Sequence, residues 1–509
     1  MAELDNSDRR QSADVAAALA AGRFGEARAL LQRALAAAPQ VPRIWASLAD
    51  CLLMERRPEE AVAVCEAGLA RLPAAVELHC AKAQALQALS RVADAAAAYR
   101  QALTLDPGCA AARLGLALQA VEAGAWDEAD ALIAPLRAAS PPPAVDWLSA
   151  RIALGRGDHA AALEAGRRAA ADPSLTAPQR SETLLLMGEA LDGLGRHAEA
   201  FQAFGEGKSA LRALYAERAA GRESELDRLS RLEAWFRDTD AAPWRAAPPS
   251  PDDPDRPGHV FLVGFPRSGT TLLEQALAGH PDLVSLEEAP TLAEPFAALM
   301  GSDAGLQRLA RLSPAEAAAW RAAYWREVDA RAPDARGRVF LDKAPAGTPH
   351  LPLIAKLFPA ARVLFALRDP RDVVLSCYRN SFQMNALTYA FTDLAETARC
   401  HAAAMTLAGT YRRLLPTAIL DVRYERLVDD FEGELAKVAR FVGLDLRGEM
   451  LDVAATARRR SIRTPSAQQV RAGLGRGGLA RWRAYEAQLA PVSQILAPWV
   501  DALGYGAAG

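Results

Sequence analysis

The chain has 509 residues, of which 51% are hydrophobic, 24% charged and 6% aromatic. At about 150 residues per domain this predicts two to four domains, and the apolar share excludes wholesale disorder. With 59 basic and 62 acidic side chains the net charge is −3, which excludes a global field for nucleic acid and makes any anion site local.

Much of the apolar share is alanine, which costs no side-chain entropy in a helix and favours close-packed short helices over an all-β sandwich. The six cysteines, Cys51, Cys65, Cys80, Cys109, Cys377 and Cys400, form no CxxC pair, so reduced, mostly buried thiols are expected. The polar N-terminal stretch lacks an apolar signal core, and no run of about 18 apolar residues predicts a membrane span. A cytoplasmic protein is expected.

The first half repeats. Pro39, Pro73, Pro107 and Pro141 lie 34 residues apart, in phase with Ala27, Ala61, Ala95 and Ala129. Each alanine closes a short block: GRFGEA, RRPEEA, SRVADA and GAWDEA; GDHAAA and GRHAEA, ending at Ala162 and Ala200, follow with altered spacing. Small residues recur at Ala49, Ala83 and Ala117. This predicts a helix–turn–helix unit whose helices cross closely and whose second helix is stopped by proline. One unit cannot bury its own apolar face, so the units must stack. Period and small-residue positions resemble the tetratricopeptide repeat. The resemblance implies an all-α solenoid over residues 13–235 with a groove for a peptide or protein partner. A structural arm or a homodimer surface is the alternative use.

Six prolines between Pro243 and Pro257 predict a linker over 236–257. Beyond it the pattern becomes strand–turn–helix. Buried strands are predicted at 259–265, 338–343, 362–369 and 418–424, with a helix over 431–443. Such alternation predicts an α/β domain over 258–505, with a central parallel sheet and a ligand site beyond the strand ends.

The loop GFPRSGTT, residues 264–271, joins a strand to a helix, where backbone N–H groups and the helix dipole accept an anion. Gly269 permits the turn, Thr270 and Thr271 add hydroxyls, and Arg267 adds charge. Thr270 stands where a nucleotide P-loop has its lysine, which argues against an ATPase or kinase. A second anion site is predicted in LRDPRDVVLSCYRN, residues 367–380. There Arg368 ends a strand and Ser376 lies about two helical turns on.

PRSGTT followed by RDPRDVVLS resembles the P-loop-like sulfotransferases that use 3′-phosphoadenosine 5′-phosphosulfate (PAPS), and among them protein-tyrosine sulfotransferases and bacterial fusions with tetratricopeptide repeats. The resemblance implies that Arg267, Ser268, Gly269, Thr270 and Thr271 hold the 5′-phosphosulfate and that Arg368 and Ser376 hold the 3′-phosphate. It places Tyr424 and Arg481 against the nucleotide. It makes Glu288, 21 positions after Arg267, the catalytic base, Lys343 the catalytic lysine, and Ser466 the serine that stabilises the transferring group. PAPS is then the co-substrate, 3′,5′-adenosine bisphosphate (PAP) the product, and no metal is needed. Two departures stand out. Pro290 replaces an arginine that reads acidic peptides, and Asn380 replaces a 3′-phosphate arginine, with Arg379 adjacent.

Sulfuryl transfer needs donors for charge growing on the departing phosphate and a carboxylate for the acceptor's proton. Glu288 has rivals in His280 and His350, and the sequence leaves the role of Glu287 open. The repeats favour a protein or peptide acceptor, with a glycan, a lipid or a small molecule such as a phenol left open, and sulfation on oxygen or nitrogen is left open too. The alternative is a peptide-binding repeat scaffold beside an inactive nucleotide domain.

Overall fold

The computed structural model describes residues 13–19, 21–137, 142–173, 175–245, 256–460, 470, 473 and 475–506. Packing divides the chain into two compact units, 1–175 and 176–509.

In the first unit, helices α1 (Phe24–Ala37), α2 (Pro42–Met54), α3 (Pro58–Arg71), α4 (Val76–Ala88), α5 (Val92–Leu105), α6 (Ala110–Ala123), α7 (Trp126–Ile133), α8 (Pro143–Gly155) and α9 (His159–Ala170) succeed one another. Each packs on its neighbours in sequence. Ala27, Ala49, Ala61, Ala83, Ala95, Ala117 and Ala129 are all fully buried. Both alanine series therefore lie at helix crossings, where a larger side chain would hold the helices apart. Pro73 and Pro107 fall just beyond α3 and α5, as expected of a helix stop. Pro141 lies outside the described residues.

The first residue of each short block has its own constraint. Gly22, Arg56, Ser90, Gly124, Gly157 and Gly195 all have φ between 60° and 77°. The turn between paired helices thus needs one left-handed residue, a conformation glycine adopts at no steric cost. Arg56 and Ser90 occupy it with a Cβ, at about 1 kcal/mol each.

In the second unit, α10 (Ala177–Gly193), α11 (His197–Ala219) and α12 (Glu225–Arg237) precede a five-stranded sheet. Its elements include β1 (Gly258–Gly264), α13 (Thr270–Leu277), β2 (Leu283–Glu287), α14 (Pro314–Arg331), β3 (Val339–Lys343), β4 (Arg362–Leu367), α15 (Pro370–Arg379), α16 (Leu394–Leu414) and β5 (Ala418–Arg423). The order is β2-β3-β1-β4-β5 and every pairing is parallel. Four of these strands match the sequence prediction within two residues. The fifth, β2, was not anticipated, because LVSLE is short and only its first residue is buried.

The unit boundary falls before α10, although α10 and α11 flank the last repeat block, GRHAEA. The reason is packing. Lys208 on α11 donates to the Asn380 carbonyl at 2.6 Å, and Arg212 makes a two-pronged pair with Glu396. Leu229, Leu232 and Phe236 of α12 share one core with Phe261, Phe365 and Tyr411. The proline-rich stretch accordingly lies within the second unit, and its residues 246–255 lie outside the described residues.

Two predictions follow from this packing. Ser90→Gly is expected to raise unfolding stability by about 1 kcal/mol, and Gly124→Ala to lower it by a similar amount, both read by chemical denaturation. A chain beginning at Thr176 is expected to melt cooperatively by circular dichroism. One beginning at Pro257, which leaves the α12 side of the core uncovered, is expected not to.

Candidate functional site

The site forms where β1 ends and α13 begins. Gly269 caps α13 with φ 93°. A Cβ there would meet Tyr424 Cδ2 at 2.5 Å, so both backbone freedom and close approach require glycine. Arg267 is left-handed as well, at φ 72°. Ser268, Thr270 and Thr271 are buried in the turn. The first N–H groups of α13 have no partner within the helix, which makes this end anion-attracting.

Arg368, at the end of β4, ties the two predicted anion segments together. One nitrogen donates to the Arg267 carbonyl at 2.9 Å and the other to the Gly478 carbonyl. Its guanidinium lies 4.8 Å from the centre of the Tyr424 ring. Arg267 Nε donates to Ser376 Oγ at 2.9 Å. Burial lowers the Arg267 pKa to about 10, which leaves it cationic at neutral pH. The structure thus gathers Arg267, Gly269, Arg368, Ser376 and Tyr424 into one constellation.

A second cluster lies at the neighbouring strand ends. Lys343 closes β3 with a fully buried side chain. Its Nζ is 2.8 Å from Glu288, 3.1 Å from Glu287 and 3.6 Å from Glu274. Burial opposes its charge, but Glu274, Glu288 and Glu287 outweigh burial and raise its pKa, keeping the ammonium. Glu288 leaves β2 left-handed, at φ 50°, and its N–H donates to the Lys343 carbonyl at 2.8 Å. Its side chain remains 47% exposed. Glu287, whose part the sequence left open, shares the lysine. Glu274 was not foreseen; its signal was the one charged side chain in the TLLEQALAG run.

The other predicted residues lie elsewhere. Arg481 donates to Asp192 of α10, as does Arg379 at 2.6 Å. Asn380 donates to the Ser376 carbonyl. Ser466 lies outside the described residues. His280 Nδ1 accepts from the Asp282 N–H at 3.0 Å, a turn-closing role. His350 packs edge-on to Phe296, and burial, with Arg228 nearby, pushes its pKa down to about 4.

Beside Glu288 opens a cavity of about 540 Å³. Arg267, Thr270 and Thr271 line it, together with Phe261, Phe296 and Asp342. Among the described residues no group of three or more His, Cys, Asp or Glu is placed to hold a metal ion, and no helix is long and apolar enough to cross a membrane.

A glycine turn between a central parallel strand and a helix, backed by one arginine at the end of the neighbouring strand, gives this α/β domain the features of an anion site. Residues 257–448 match the sulfotransferase family, and residues 18–89 and 86–152 match the tetratricopeptide repeat. The chain carries a sulfotransferase-family domain together with tetratricopeptide repeats.

An uncharacterized protein of Aquifex aeolicus (strain VF5) is 29% identical over 245 residues, 47% of this chain. The match spans 32% of that relative's length. The sulfotransferase domain of the Synechococcus PCC 7002 olefin synthase is 25% identical, over 46% of this chain and 90% of that one, with a TM-score of 0.32. A tetratricopeptide repeat protein from Parabacteroides merdae ATCC 43184 is 11% identical over 46% of this chain and 91% of its own, with a TM-score of 0.31.

Burial also fixes how this unit responds to acid. His401 is buried against Phe265 and its pKa falls to about 4; His350 behaves alike and His259 falls to about 3. Unfolding lets each take up a proton near its ordinary pKa, so their contribution is complete above about 6.5 and is lost as pH falls toward 4. Asp342 and Asp372, raised by burial to about 6, and Glu274, also raised by burial, act in the opposite sense as pH falls and offset part of the imidazole effect. Unfolding free energy is expected to be lower at pH 5 than at pH 7.5. Equal denaturant midpoints and slopes at the two pH values would contradict this.

Proposed function

We propose that this chain transfers a sulfuryl group from PAPS to a hydroxyl or amine acceptor. The observation that carries the reading is the anion cradle at the start of α13, tied through Arg267 to both Arg368 and Ser376. When bound, PAPS supplies a sulfuryl group already joined to a phosphate leaving group. Arg267 through Thr271 hold its 5′ end, Arg368 and Ser376 its 3′-phosphate, and Tyr424 its nucleotide. Arg481, which the family resemblance sets against the nucleotide, shares Asp192 with Arg379, which leaves one net positive charge on that cluster.

Lys343 keeps its proton and offers it to charge developing on the departing oxygen. Glu288, exposed at the cavity rim, takes the acceptor's proton. Glu287 shares the lysine and steadies it. By the family resemblance, Ser466 completes the set. The repeats bind a peptide or protein partner, or bring the acceptor.

Titration calorimetry with PAP and with ATP tests the donor site. PAP is expected to bind and ATP to bind far more weakly, and failure with PAP would overturn the reading. Glu288→Ala is expected to lower kcat about 10²- to 10⁴-fold with PAP affinity kept. Glu287→Ala is expected to be milder. Full turnover by the first with loss in the second would move the base to Glu287.

A further inference from the structure

The cavity beside Glu288 also extends along the face of the sheet opposite Lys343. Asp342 pairs in register with Phe261, and side chains alternate along a strand, so Asp342 and Lys343 point to opposite faces. Phe261, Phe296, Ile354, Phe382, Leu387 and Phe391 make this part of the lining apolar. About 540 Å³ suits a small molecule enclosed on several sides.

Within this apolar lining Asp342 is 1% exposed. Its Oδ2 accepts from Thr291 Oγ1 at 2.7 Å and from Tyr324 Oη at 2.8 Å. Its Oδ1 has no hydrogen-bond partner, and Asp342 has no ion-pair partner among the described residues. A buried carboxylate oxygen without a donor is costly, and a ligand that brings a donor recovers that cost. The other charged groups lining the cavity are already engaged: Arg228 with Glu225, Arg267 with Ser376, and Glu288 with Lys343. His350 is neutral at pH 7, so no imidazolium competes for Asp342.

Resting on the sulfotransferase reading, we propose that the acceptor is a small hydroxy compound with an apolar or aromatic body and a cationic amine. The amine binds Asp342 Oδ1 and the hydroxyl meets Glu288. In the transfer the acceptor oxygen forms a bond to sulfur as the bond from sulfur to the phosphate oxygen of PAPS breaks. The hydroxyl proton passes to Glu288, and PAP leaves with the bonding pair. Asp342 takes no part in the proton transfer; it is a specificity-determining residue.

Tyramine and 4-ethylphenol test this, since they differ chiefly by the amine. The full chain is incubated with sulfur-35 PAPS and each phenol, and the product is located by mass spectrometry. The expected result is O-sulfation with kcat/KM at least tenfold higher for tyramine, and a ratio of the two substrates' kcat/KM that falls to about one in Asp342→Asn. Even if that variant fails to fold, the wild-type pair can overturn the proposal, because tyramine turned over no better than 4-ethylphenol is incompatible with it. Equal turnover of the two phenols, sulfation on the amine, or no turnover of either by protein that binds PAP overturns the proposal and leaves the donor reading standing. Failure to bind PAP overturns both.

Discussion

A buried ammonium organises the C-terminal edge of the sheet. Lys343 has no exposed side-chain surface, and three carboxylates reach it from α13, from β2 and from the residue after β2. Taking a charge of this kind out of water costs several kcal/mol unless partners surround it. The partners arrive from different elements, so β3 cannot keep its lysine without holding β2 and α13 in register beside it. Glu274, also fully buried, has its own pKa raised by burial, with Lys343 acting against that rise. The ion cluster and the anion turn therefore depend on one helix: Thr270 and Thr271 open α13, and Glu274 stands one turn later.

The same coupling recurs at the turn before α13. Arg368 bridges a backbone carbonyl of the turn, 101 residues before it, and one 110 residues after it, while its face lies on Tyr424. Tyr424 in turn packs so closely on Gly269 that no side chain fits there. Three distant stretches of sequence meet within a few ångströms, each fixing the others. The proposed donor site needs this preorganisation, because cations left free to rotate would lose the entropy of ordering at the moment of binding.

Much of this was legible in the sequence, for physical reasons. The repeat was visible because close helix crossings accept only small residues and the period preserves their phase. The turn at Gly269 was visible because strand, glycine and helix stand in immediate succession. The β2 strand escaped notice because its few residues are half-buried and alternate weakly. Glu274 and Asp342 escaped because a lone carboxylate in an apolar run announces burial but not its partner. Asp192 was the least legible. Its partners Arg379, Arg481 and Tyr485 lie 187 to 293 positions away, and no local pattern encodes such a meeting.

That carboxylate also marks where the chain is free to change. Asp192 and Lys208 belong by sequence to the last repeat, yet their partners lie in the α/β domain. A gene duplication or deletion among the preceding repeats would alter the length of the array and leave every one of these contacts in place. Recombination that replaced the final hairpin would strand Arg379 and Arg481 without their counter-ion. Repeat number upstream of residue 176 is thus open to evolutionary drift, while the terminal hairpin must be inherited with the domain it serves.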